Sequence, residues 1–341
     1  MTHAHCLAYG ELLLRLTPSV HGELLEQSDH LKMAFAGAEA NIICDLSRLG
    51  HDCAFLSAFP QNPLGRKALS FLNSYGVNTN PVSWSAGRMG TYYIEHGQSI
   101  RGTKVVYDRK HSSVSQTAIS AKEWERLLKH QDYFILTGIT PALSKVCRDN
   151  ISAALEVAQK LPVQVVLDFN YRRSLWSPQD ARASLEQYLP KVDLLFANIG
   201  AVQDIFGLQT KPWNTQEGLE EASQQALLFL DDLHDFAHIS LTMRLQHNAS
   251  ENRLSALTKT GDQVQWAPWI DTTIIDRLGG GDAFVAAYLH GLTRQWPIAQ
   301  TLAFAVAAFA YTQTIIGDVN LASEEELLSI AAGNTFGFAK R

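Results

Sequence analysis

The chain has 341 residues, 46% hydrophobic and 18% charged, with a formal net charge of −6. These proportions describe a globular protein with ample core, long enough for one large α/β domain or two ordinary ones. The basic residues are scattered, which argues against nucleic acid or an anionic membrane as partner. Its four cysteines, Cys6, Cys44, Cys53 and Cys147, form no CxxC pair; they fit small buried residues in a reducing compartment. Met1 to Cys6 lacks the basic-then-apolar pattern of a signal peptide. The most apolar stretch, Leu302 to Ile316, is broken by Tyr311, Thr312, Gln313 and Thr314 and is short for a membrane span. A cytoplasmic protein is expected.

In chain order, Cys6 to Leu14 reads as a first strand interrupted by Gly10-Glu11, followed by a polar, irregular stretch from Pro18 to Phe35. Ala36-Gly37-Ala38-Glu39-Ala40-Asn41 then turns into an amphipathic helix through Leu49, closed by Gly50. Cys53 to Phe59 reads as a strand and Gly65 to Tyr75 as a helix, an alternation that predicts parallel βαβ units. Residues 87 to 115 break this rhythm. Thr91 to Ile94 and Lys104 to Tyr107 look like two strands without a helix between them, an antiparallel flap able to close over a small molecule. The alternation resumes with a strand at Tyr133 to Thr137, a helix within Lys145 to Leu161 and an apolar strand at Val163 to Leu167. Polar residues gathered after that strand, Asp168 to Arg173, stand where α/β ligands bind. A strand at Asp193 to Ala197 leads to Asn198; helices at Gln216 to Leu233 and Leu302 to Ile315, with a strand at Ala237 to Leu241, complete a doubly wound sheet. No repeat or linker interrupts residues 1–341, which are read as a single domain.

The late stretch Asp276-Arg277-Leu278-Gly279-Gly280-Gly281-Asp282 feeds a helix. Three glycines suit neither strand nor helix interior, so they read as a turn that aims free N–H groups at one spot, favourable for negative charge. Asp282 beside it is either a helix cap or a base that accepts a hydroxyl proton while the amides stabilise a phosphoryl group. This segment by itself leaves both readings open. Competing motifs are missing: there is no Gly-Lys pair for a P-loop, no GxGxxG after the first strand, no HExxH and no GxSxG. His234 and His238 have the i, i+4 spacing of a metal pair, but they straddle a helix end and a strand start, where their rings would not share a face. Arg109 on the flap and Arg172 after a strand could each grip a carboxylate or phosphate.

Ala36-Gly37-Ala38-Glu39-Ala40-Asn41, Asp168-x-Asn170-x-Arg172 and Gly279-Gly280-Gly281-Asp282 resemble the ribokinase-like (pfkB-type) carbohydrate kinases, in order through nearly the whole chain. Val105-Val106-Tyr107-Asp108-Arg109 and the pairing of Asp276 to Asp282 with Ile316-Gly317-Asp318 look like the 2-keto-3-deoxygluconate kinases within that family. The resemblance implies a three-layer α/β/α fold with a mainly parallel sheet and a small β-sheet lid from about 12–35 and 87–115. It implies Asp282 as base, the amides of Gly279, Gly280 and Gly281 as anion hole, and a sugar-acid site of Gly37, Asn41, Tyr92, Tyr107, Arg109 and Arg172. Asn170 and Asn198 would lie toward ATP and Mg2+, and Asp276 toward a monovalent cation, commonly K+. A keto-deoxy acid carries a carboxylate that Arg109 and Arg172 would match. The implied reaction is phosphorylation of 2-keto-3-deoxygluconate to its 6-phosphate. Alternatives are a fructokinase, another neutral-sugar or nucleoside kinase, or a catalytically weakened sugar-binding homologue. Two positions depart from the pattern: Ala201 stands where the family's Asn-x-x-Glu has its acid, and Ala36 where a glycine is usual. Lid strands could also pair with a second lid in a homodimer.

Overall fold

The near-continuous apolar runs pair into one sheet because helices cover both of its faces. The computed structural model describes residues 3–335. Its strands are β1 (His5–Tyr9), β2 (Leu13–Pro18), β3 (Leu31–Ala36), β4 (Asp52–Leu56), β5 (Ala58–Pro60), β6 (Ser83–Ser85), β7 (Thr91–Glu95) and β8 (Lys104–Asp108). They continue with β9 (Tyr133–Thr137), β10 (Gln164–Asp168), β11 (Leu194–Asn198), β12 (His238–Gln246), β13 (Glu251–Thr260), β14 (Gln263–Trp266) and β15 (Ile270–Thr273). The main sheet has the order β14-β13-β12-β11-β10-β9-β1-β4, and β15 also pairs with β13. From β12 to β4 the pairings are parallel; β13, β14 and β15 add an antiparallel edge.

Side-chain alternation along the strands sorts the layers. Cys6 and Ala8 of β1 and Ile135 of β9 join one core with helices Ala38–Arg48, Gly280–Thr293 and Ile298–Thr312. Leu7, Tyr9, Phe134 and Leu136 join the other, with helices Lys145–Ala158, Pro178–Tyr188 and Gln216–Leu233. The result is the three-layer α/β/α fold that the resemblance implied. All four cysteines are buried and free. Among the described residues no helix is long and apolar enough to cross a membrane.

A separate sheet, β3-β2-β7-β8, stands apart from the main one. It is built from the segments 12–35 and 87–115, with β3 extending to Ala36. Here the structure differs from the sequence reading. Cys6 to Leu14 is two strands in two sheets, since the chain leaves the main sheet at Gly10 and starts the lid at Leu13. The stretch read as irregular holds β3, whose first four residues are exposed, so no apolar alternation marked it. Cys53 to Phe59 divides into β4 and β5. The antiparallel edge beyond β12 was not anticipated, and β12 itself runs five residues past Leu241.

Candidate active site

Gly279 precedes the helix Gly280–Thr293 with φ +76°, and a Cβ there would sit 1.9 Å from the Asp318 carbonyl oxygen. Only glycine fits that turn. No side chain caps the helix, so its first N–H groups are open toward the cavity lined by Gly279, Gly280 and Gly281. The cavity has a volume of about 890 Å3. It opens at the C-terminal ends of β10, β11 and β12, where parallel α/β sheets place their ligands.

Asp282, in the first turn of the helix, lines the same cavity and is 8% exposed. Asn41 Nδ2 donates to its Oδ2 at 2.7 Å. Burial drives the Asp282 carboxyl well above the usual carboxylate range, and the nearby Asp168 adds to the effect; the Asn41 hydrogen bond and Arg172 oppose it. The functional reading of Asp282 therefore gains over the capping one: its side chain caps nothing and points at a ligand space. Asp168, at the end of β10, is pushed up to about 6, chiefly by burial. One of its oxygens accepts the Asn170 N–H at 3.0 Å, a turn in which Asn170 takes φ +32°.

Positive charge gathers opposite these acids. Arg172, Arg244 and Arg277 all line the cavity. The Arg172 guanidinium makes no hydrogen bond or ion pair among the described residues. Arg244 lies over the Phe309 ring at 5.4 Å, with its Nε sealed from solvent and unpartnered. Burial, then repulsion from Arg277 and Arg172, lowers its guanidinium to about 10, the mark of a site that favours an anion.

Of the residues singled out from the sequence, Asp282, Gly279, Gly280, Gly281, Asn170, Arg172 and Asn198 meet in this cavity. Asn41 reaches it through Asp282. Asn198 caps the helix Ile199–Phe206, its Oδ1 accepting the Ala201 N–H at 3.0 Å. Tyr92 and Tyr107 pair on the lid with ring centroids 5.7 Å apart, and the Tyr92 hydroxyl donates to Asp318 Oδ2 at 3.4 Å. Five residues are placed differently from the expectation, Tyr92 and Tyr107 among them, since neither lines the cavity. A Cβ on Gly37 would meet the Glu11 carbonyl oxygen at 2.1 Å, so backbone, rather than ligand, fills that space. The Arg109 guanidinium is buried against Glu11, Nε to Oε2 at 2.7 Å, and does not line the cavity wall. Asp276 is 1% exposed and its carboxylate is engaged by the Arg15 guanidinium. His238 Nδ1 lies 3.0 Å from the Tyr288 hydroxyl, so the His234 and His238 spacing does not build a metal pair.

The sequence reading missed Arg244 and Arg277. Ending β12 at Leu241 hid Arg244; a strand drawn to its full length would have exposed a lone arginine at a parallel strand's C-terminal end.

A buried carboxyl, an open helix N-terminus and an arginine wall around one cavity in an α/β/α fold are the features of a phosphotransferase site. The model of the pfkB family carbohydrate kinases matches residues 3–230 and 253–320, and the chain belongs to that family. It is 34% identical over 338 residues to a 2-dehydro-3-deoxygalactonokinase of Haloferax volcanii, spanning 98% of each chain. The 2-dehydro-3-deoxygluconokinase of Thermotoga maritima superposes with a TM-score of 0.91 at 31% identity, over 97% of this chain and 100% of that one. A ribokinase II of E. coli in complex with ATP and Mg2+ shares the fold, with a TM-score of 0.80 at 17% identity, over 97% of this chain and 99% of that one. The protein is thus a sugar kinase close to the 2-keto-3-deoxy sugar acid kinases.

Proposed function

We propose that this kinase transfers the γ-phosphate of ATP to the terminal hydroxyl of 2-keto-3-deoxygluconate, giving the 6-phosphate. The observation that carries the acid substrate is Arg172. It stands on the cavity wall beside Asp282 with its guanidinium unpaired, as a fork for the substrate carboxylate. A neutral sugar would leave that charge without a partner.

Asp282 takes the hydroxyl proton as the new oxygen–phosphorus bond forms and the bond to ADP breaks. A carboxylate with raised proton affinity is the stronger base, and the Asn41 bond keeps its second oxygen aimed. The amides of Gly279, Gly280 and Gly281, with Arg244 and Arg277, meet the charge on the phosphates. Asp168 fits Mg2+, because burial disfavours its ionised form until a cation arrives. Asp168 and Asn198 would hold the ion, which would supply positive charge against the phosphates. With Ala201 in place of an acid, the arginines carry more of that neutralisation. Thr103 and Val105 bring the lid to the cavity edge. Arg109, held by Glu11 and 5.5 Å from the Tyr107 ring centroid, steadies the lid strand from which Tyr107 projects.

A second reading follows from the Haloferax relative: the substrate is the galactonate-derived acid, which differs from the gluconate-derived one at a single carbon's configuration. ATP-dependent ADP release over both keto-deoxy acids, gluconate, fructose, ribose and adenosine decides. Turnover on the gluconate-derived acid above its epimer is expected. Preference for the epimer would install the second reading, and preference for a neutral sugar or adenosine would overturn the carboxylate argument.

A further inference from the structure

Arg15 sits in β2 of the lid, yet it is 2% exposed and its guanidinium reaches two acids from distant parts of the chain. Nη2 pairs with Asp276 Oδ2 and Nη1 with Asp318 Oδ1. Nε donates to Thr17 Oγ1 at 3.3 Å, and Nη2 lies 3.3 Å from His96 Nε2. The acids are tied in turn to the anion-hole turn. Asp276 accepts the Leu278 N–H at 3.3 Å and the Gly317 N–H at 3.2 Å, and the Asp318 carbonyl fills the space where Gly279 lacks a Cβ. One cation thus clasps the lid, the loop entering Gly279 and the loop at Asp318.

We propose that Arg15 is the kinase's built-in monovalent cation and the positioning residue for its anion hole. Two buried carboxylates side by side repel and need a positive charge between them. The resemblance assigned Asp276 to a K+ ion, but the residues present do not fit one there: the Asp276 oxygens are taken by a guanidinium and two backbone amides, with His96 Nδ1 3.8 Å from Oδ1. A guanidinium supplies the same charge with fixed direction, two N–H forks in one plane. It also makes the hole's geometry depend on the lid strand that carries it. Burial opposes the charge on Arg15, but Asp318 and Asp276 outweigh it and raise the guanidinium's pKa. The inference rests on Asp282 and the glycine amides as the reacting centre, and not on which sugar acid is bound.

The test has two arms. Initial rates of the wild-type enzyme are measured in potassium, sodium and choline salts at matched ionic strength, on whichever sugar is turned over. Arg15→Ala and Arg15→Lys are then compared with and without added K+ or guanidinium. The wild type is expected to vary by less than roughly twofold, and Arg15→Ala to lose about 100-fold in kcat through a displaced anion hole. Partial, saturable rescue by guanidinium or K+ should follow, and Arg15→Lys should retain more activity. Several-fold saturable K+ activation of the wild type, or wild-type kcat in Arg15→Ala, would overturn the proposal. The second arm needs no sugar. The melting temperature of the wild type should be the same in potassium and choline, and a K+-specific rise would count against Arg15. If no substrate is found, the substrate assignment fails while this arm still decides; if Arg15→Ala does not fold, both wild-type arms still decide.

Discussion

In the main sheet, β9 is buried at all five positions; in the lid, β8 leaves every residue but Val105 exposed. The body's two cores take in both faces of its central strands and the helices that cover them. The lid's own cluster is Leu13, Ala36, Tyr92 and Ile94, with Val105 and Leu278 against it. What the lid lacks in apolar burial is matched by charge: Arg15 to Asp276 and Asp318, Arg109 to Glu11, and Lys104 to Glu95 at 3.5 Å. The hydrophobic effect holds the body without regard to direction. The lid depends on a few directed contacts, the pattern expected of an element that opens and closes.

The sharpest test of the division sits where body and lid meet, at Asp282. Asp282→Asn should lower kcat by about 1,000-fold or more while ATP still binds. It should leave stability unchanged or raised, because it removes a buried carboxyl whose charged form the fold disfavours. Single-turnover phosphorylation and thermal melting check both halves; an active variant would sink the base assignment. Next in size is the body itself. Phe134→Ala empties a fully buried site between β1 and β10 and should cost about 3–5 kcal/mol in denaturant unfolding. A loss below 1 kcal/mol would mean that this part of the core is not close-packed.

Arg244→Ala should raise KM for ATP by about tenfold or more with a smaller change in KM for the sugar, since an arginine to phosphate is a charge-assisted contact. Arg172→Ala should do the reverse. If both variants move the same KM, the cavity is not divided into phosphate and carboxylate ends.

Acidification should act on the body through His51 and His290. The Ala4 N–H donates to His51 Nδ1 at 3.1 Å, so neutral His51 carries its proton on Nε2, 2.9 Å from His290 Nδ1. His290 Nε2 then faces Glu324 at 3.1 Å. Burial first, and neighbouring positive charge in part, pushes both rings down to about 4. The unfolded chain, with histidines near the ordinary value, binds more protons between about 6.5 and 4, so stability is fully present above that window and falls as pH drops through it. A loss of roughly 3 kcal/mol for each ring that must take up a proton is expected across it. His51→Asn should flatten the slope of melting temperature against pH. An unchanged slope would remove this pair from the acid response. Asp168, pushed up to about 6, has the opposite sign: its ionisation opposes folding as pH rises, and that penalty should shrink when Mg2+ is added.

The same contrast explains what could be read in advance. Tyr133 to Thr137 and Gln216 to Leu233 are strand and helix as drawn from the sequence, because periodicity reports burial and the body is buried. The glycines with Asp282 and Arg172 were also legible, since a turn of glycines and a polar cluster after an apolar strand are local signals. The ion pairs were not. Arg15 and Asp318 lie 303 positions apart, and nothing in the composition around either says that they meet. Arg109 was legible as an arginine on a flap but not as the partner of Glu11, 98 positions earlier. Its expected place in the sugar site assumed a free guanidinium.

The smallest expected effect is on the lid's outer surface. Val106 is 55% exposed, with Met33 at 44% on the same face of the sheet. In a chain whose lid meets only water, Val106→Ala should change unfolding free energy by less than about 0.5 kcal/mol, against several for Phe134→Ala. A second lid seated on this sheet would bury that apolar surface and raise the cost, and the melting temperature would then rise with protein concentration. Measuring Val106→Ala at two concentrations a hundredfold apart separates the cases. A small, concentration-independent effect leaves the lid held by its own small apolar cluster and its ion pairs. A larger, concentration-dependent one means that the lid acquires in the dimer the apolar burial it lacks within one chain.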